Sequence, residues 1–131
     1  MKTTPPSRLA ALVLASASLT LAACGSGEKG SAVPANPDVV VVAPQGRGLI
    51  FDKTSYTAVA GDVALAYRND DVQTHTMILE DTTGKRMPGF KRIVLGARRA
   101  AGATITLTAG TYKLVCDIHL PTMVADLVVT P

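Results

Sequence analysis

The run YKLVCDIHLPTMVADLVV, residues 112–129, sets a cysteine, a histidine and a methionine within eight positions at the apolar end of the chain. Side chains alternate faces along a strand, so Tyr112, Leu114 and Cys116 share one face, and Met123, Leu127 and Val129 share another. Both faces are apolar. Cys116 therefore closes one strand and Met123 opens the next, and the short loop between them carries His119. The run reads either as a packed hairpin that happens to contain these three residues or as most of a metal site.

Outward from this hairpin the same period of two continues, with turn residues at short intervals. Strand candidates are 39–43, 48–51, 55–59, 63–69, 74–80, 90–95, 103–108, 111–116 and 124–129. Gly61-Asp62, Asn69-Asp70-Asp71, Thr83-Gly84 and Ala109-Gly110 punctuate them with turn chemistry. In 103–108, Ile105 and Leu107 face one way and Thr104, Thr106 and Thr108 the other, the pattern of a half-buried strand. No helical period and no internal repeat is visible. At 131 residues, with 4% aromatics, no tryptophan and an apolar content carried by Val, Ala, Leu and Ile, the chain reads as all-β: a single Greek-key β-sandwich or barrel of about eight strands.

The amino terminus has a different character. Lys2 and Arg8 precede an apolar run, Leu9 to Ala23, which is short for a bilayer span and ends in Leu-Ala-Ala-Cys. Residues 1–23 read as an export signal, and 21–24 resemble the lipobox of bacterial lipoproteins, in which the thiol of Cys24 is acylated and becomes the new amino terminus. An ordinary secretory signal with an incidental cysteine is the alternative. Residues 24–37, rich in Gly, Ser, Pro and Ala, read as the lipidated cysteine and a flexible linker, and 38–131 as the folded domain. The expected location is the outer face of the bacterial cytoplasmic membrane. After the signal, 11 of the 13 Lys and Arg face all 10 acidic residues, a balance near +1 that argues against nucleic acid as a partner. With Cys24 lipidated, Cys116 is an odd thiol in an exported protein and needs a reason; a Cys24–Cys116 disulfide competes, but would staple the fold to a flexible tether.

His75, in the strand 74–80, is in phase with Met77 and Leu79 and so faces the interior. Singly, a buried Cys is a small hydrophobe, a buried Met fills space and a strand-end His is hydrogen-bonded. Together, one thiolate, two imidazoles and one thioether are the set a trigonal copper site with a weak axial sulfur requires, and both histidines of the chain are used. Structural zinc also accepts Cys and His.

The segments FDKTSYTAVAGDVALAYRNDDVQTH (51–75) and AGTYKLVCDIHLPTM (109–123) resemble the cupredoxins, the small blue copper proteins of the plastocyanin, amicyanin and azurin kind, over roughly 39–131. The resemblance implies one type 1 copper ion, with His75, Cys116 and His119 as equatorial ligands, Met123 as the axial ligand and single-electron transfer to redox protein partners. Thr76 stands where members often carry an asparagine that ties the two ligand loops together, so its N–H or hydroxyl is expected to take that role. Ala125 replaces a glycine common near the last strand, and three residues separate His119 from Met123 where the shortest-loop members have two.

Between Asp81 and Asp117 no acidic residue occurs, yet Lys85, Arg86, Lys91, Arg92, Arg98 and Arg99 do. This basic segment reads as a solvated edge or as a docking surface for an acidic redox partner or anionic headgroups. Leu120 and Pro121, beside His119, form a second, apolar docking candidate. With four protein ligands and no catalytic constellation, the sequence reading is a monomeric electron carrier without a small-molecule substrate, not an enzyme. A copper buffer or delivery module using the same ligands is the rival, and a metal-free Greek-key scaffold a weaker one.

Overall fold

Alternating β-branched and polar residues leave each segment one apolar face to bury, and two stacked sheets bury all of them. The computed structural model describes residues 31–131. The signal segment, Cys24 and residues 25–30 lie outside the described residues.

Eight strands form: β1 (Val39–Ala43), β2 (Ser55–Val59), β3 (Gly61–Asn69), β4 (His75–Glu80), β5 (Ile93–Leu95), β6 (Ala100–Leu107), β7 (Gly110–Val115) and β8 (Val124–Thr130). One sheet has the order β1-β3-β6 and the other β2-β8-β7-β4-β5. β1 runs parallel to β3 and β2 parallel to β8; the remaining neighbours are antiparallel. This is the all-β sandwich expected, with no helix among the described residues.

The core lies between the sheets and is built from Val41, Leu65, Tyr67, Met77, Leu79, Ile93, Leu95, Leu107, Leu114 and Leu127, all essentially fully buried. Each such aliphatic side chain contributes about 1.5–3 kcal/mol. Ile105 and Leu107 are inside while Thr104, Thr106 and Thr108 are exposed, as the alternation requires. β4 departs from simple alternation, because His75 through Leu79 are buried on both faces. Met77 and Leu79 meet the core, while Thr76, on the other face, is held by contacts to Cys116 and Asp117 of the ligand loop.

One strand expectation needs correction. The segment 48–51 is not a strand. Gly46 and Gly48 adopt φ of 70° and 78°, conformations a strand cannot hold, and they turn the chain so that Phe51 packs edge-on against Tyr67 while Ile50 stays exposed. Asp52 fixes the turn's exit: its Oδ1 accepts from the Val42 N–H at 2.8 Å and the Tyr56 hydroxyl at 2.6 Å. The segment before Asp38 is also attached to the domain from Ser31, whose N–H and carbonyl pair with Gly102 on the free edge of β6 at 3.1 and 2.9 Å. A Cβ at Gly102 would lie 2.8 Å from the Leu65 carbonyl oxygen and against the Pro34 ring, so only glycine lets the segment approach.

Candidate metal centre

The β7–β8 hairpin continues one pair beyond its strands. Val115 pairs with Val124, and the Cys116 N–H then donates to the Met123 carbonyl at 3.0 Å. Cys116 and Met123 are thus cross-strand neighbours, both fully buried, with their side chains in the core cluster. Two tight turns complete the loop: the His119 N–H donates to the Cys116 carbonyl at 3.1 Å and the Met123 N–H to the His119 carbonyl at 3.2 Å. These bonds fold the loop so that the His119 ring lies back over the cysteine.

His75 opens β4 on the neighbouring strand and is 1% exposed. Its Nδ1 lies 3.1 Å from Nδ1 of His119, and that atom lies 3.5 Å from Sγ of Cys116. The three donor atoms fall within 4.8 Å of one another. The two rings meet edge to face, with centroids 4.8 Å apart. The structure therefore brings together His75, Cys116 and His119, with Met123 the buried cross-strand neighbour of Cys116.

Sequence reasoning missed the groups that aim these donors. Asp71, read only as a turn residue, places Oδ2 at 3.1 Å from Nε2 of His75. With the ring proton on Nε2 facing the carboxylate, Nδ1 of His75 is left bare toward Cys116 and His119. The hydrogen bond from His75, helped by the Val72 N–H, holds the Asp71 carboxyl below the usual carboxylate range. Asp71 is held in turn by buried Asn69, whose Oδ1 accepts the Asp71 N–H at 2.9 Å and whose Nδ2 reaches the carbonyls of Gln73, Leu95 and Gly96. Burial, then the neighbouring His75, pushes the His119 imidazole down, favouring the neutral form a metal ligand needs. The readable signal was an acid four residues before an inward-facing histidine.

Thr76 sits where the sequence reading placed it, between the two ligand loops. Its N–H points at Cys116 Sγ at 3.3 Å, and its hydroxyl lies 3.4 Å from the same sulfur and 2.7 Å from Oδ1 of Asp117. Asp117 is also gripped by Arg92, through Nε and Nη2 at 2.9–3.1 Å, and by Arg86 Nη2 at 2.9 Å. Burial would raise the Asp117 carboxyl, but the bonds from Arg92 and Thr76 and the two positive charges outweigh it and hold it low. Of the basic docking candidates, Lys85 and Lys91 are exposed, whereas Arg86 and Arg92 tie the 81–92 connection to the ligand loop.

The other docking candidates flank the site directly. Leu120 and Pro121 are exposed, Leu120 by 59%, and Ile118 and Val72 are exposed beside them in sequence to His119 and Asp71. His119 itself is half-buried, in contrast to His75.

Among solved structures, the chain is similar to auracyanin A, a "blue" copper protein from the green thermophilic photosynthetic bacterium Chloroflexus aurantiacus, at 24% identity and a TM-score of 0.58 over 72% of this chain and all of that one. It is also similar to a purple cupredoxin from Nitrosopumilus maritimus (21%, TM-score 0.58, 71% of this chain and all of that one). Amicyanin from Paracoccus versutus matches at 23% with a TM-score of 0.58, over 79% of this chain and 93% of its own. No protein-family model and no curated protein sequence matches the chain. The likeness establishes the cupredoxin fold.

Proposed function

We propose that this protein is a type 1 copper electron carrier, held at the outer face of the cytoplasmic membrane by lipid on Cys24. The observation that carries the reading is the convergence of His75 Nδ1, His119 Nδ1 and Cys116 Sγ, 3.1 and 3.5 Å apart in sequence around the cluster, beside a buried methionine. Donors bound at about 2.0–2.3 Å around one ion would lie roughly 3.5–4 Å from each other, so the residues present fit a metal after only small movements. One soft thiolate with two imidazoles suits copper, and the solved relatives named above are described as a blue copper protein and a purple cupredoxin.

When bound, copper supplies a one-electron couple. The protein's part is to keep the donor positions the same in both oxidation states. Asp71 and Asn69 fix the His75 ring, the Cys116–Met123 hairpin pair fixes the thiolate, and the two loop turns fix His119. His119 is the most exposed of the three donors, so its ring edge would be the shortest route for an electron to or from a bound copper. The apolar surface of Leu120 and Pro121 around it suits brief contact with a redox protein partner. Leu120→Glu is expected to slow electron exchange with that partner several-fold while the visible spectrum stays unchanged; stopped-flow mixing of the two reads the rate. Unchanged kinetics would move docking to the basic face that includes Lys85 and Lys91.

Met123, buried and paired across the hairpin with Cys116, would be a weak fourth donor to the copper. A thioether there bonds weakly, so Met123→Leu is expected to retain copper and colour and to raise the reduction potential. Met123→Gln, a stronger oxygen donor to Cu(II), is expected to lower it. Voltammetry checks both, and a potential indifferent to either change would make Met123 packing alone. A reversible one-electron wave with fast self-exchange separates the carrier from a copper buffer, which binds the metal without exchanging electrons quickly.

A further inference from the structure

The Thr76 hydroxyl has one proton and two acceptors within reach. Cys116 Sγ lies at 3.4 Å and Oδ1 of Asp117 at 2.7 Å. A carboxylate oxygen at 2.7 Å is the geometry of a charge-assisted hydrogen bond, while 3.4 Å to sulfur is a weaker contact, so the proton goes to Asp117. Two further contacts enforce this choice. The Asp117 N–H donates back to Thr76 Oγ1 at 3.1 Å, closing a reciprocal pair, and Arg92 and Arg86 hold the carboxylate in place from the solvent side. The β4–β7 register pairs Ile78 with Val115, and its continuation by two residues sets Thr76 opposite Asp117, so the strands themselves impose the juxtaposition.

We infer that Asp117 is a positioning residue that draws the Thr76 hydroxyl away from Cys116, leaving the sulfur with the Thr76 backbone N–H as its hydrogen-bond donor. The inference deepens the copper reading and rests on it for its consequences. Each hydrogen bond to the cysteine sulfur withdraws electron density that the thiolate would otherwise give to Cu(II). A second bond therefore weakens the oxidised state, raises the reduction potential and moves the sulfur-to-copper band to higher energy. Asp117, with the arginines behind it, sets that number of bonds from outside the ligand shell.

The test is a double-mutant cycle on the copper-loaded protein, together with proton NMR of the metal-free protein. Thr76→Val alone is expected to leave the energy of the band nearly where it was, because its hydroxyl does not serve the sulfur. Asp117→Ala is expected to shift the band to higher energy and raise the potential, and Thr76→Val added to Asp117→Ala is expected to reverse the band shift. Asp117→Asn, which loses the charge but keeps an acceptor oxygen, is expected to raise the potential without the band shift, separating charge from hydrogen bonding. In the metal-free native protein, the Thr76 hydroxyl proton is expected as a downfield, slowly exchanging resonance that disappears in Asp117→Ala. Equal effects of Thr76→Val in the native and Asp117→Ala backgrounds would overturn the inference, as would an NMR resonance unaffected by Asp117→Ala. Absence of any charge-transfer band in the native protein would instead strike the copper reading, and the NMR arm would still decide where the proton lies.

Discussion

Cys116→Ser is expected to abolish the visible sulfur-to-copper absorption of the Cu(II)-loaded protein outright while leaving the metal-free fold largely intact. The band requires a thiolate donor, and a serine oxygen at the same position is too hard and too weakly donating to replace it. The packing cost is small because one atom changes. Cys116 is a free, fully buried thiol at the end of β7, and a hydroxyl in its place still faces the Thr76 N–H that now meets the sulfur at 3.3 Å. A new buried hydroxyl with a partner changes stability by about 1 kcal/mol. Absorption spectra of the copper-loaded variant and thermal melts of the metal-free one check the two halves. Colour that survives the substitution would remove Cys116 from the site.

The second large effect concerns attachment. The mature protein is expected to begin at Cys24 and to sediment with membranes, and Cys24→Ser to release it into the soluble fraction. Each buried methylene of an acyl chain contributes about 0.8 kcal/mol, so two chains suffice for stable anchoring and their loss leaves a chain of nearly balanced charge with little membrane affinity. Intact-mass measurement of the native protein and fractionation of the variant decide it. An unmodified Cys24, or a native protein found in solution, would contradict the anchor.

The strands were legible because burial on one face imposes a period of two, and the Cys116–Met123 hairpin was legible because its two strands keep their phase across the loop. The segment 48–51 misled because an apolar run resembles a strand until the two glycines flanking and opening it are seen to take left-handed φ. At the site, the sulfur and imidazole donors announce themselves by residue type. Asp71, Asn69 and Asp117 do not, since the same residues serve ordinary turns. What distinguishes them is a set of contacts four to forty-one residues apart in the chain, made only once β4, β5 and β7 lie side by side. Arg86 and Arg92 illustrate the same limit. A segment without acids reads as a free basic face, yet Asp117, the next acid along the chain, folds back to pair with both.

Titrating the metal-free domain with Cu(II) and recording its visible spectrum decides whether His75, Cys116 and His119 hold a type 1 copper ion. An intense charge-transfer band that grows linearly and saturates at one equivalent is the predicted result. A colourless protein at saturation, or one that binds zinc in the same site and excludes copper, would contradict it.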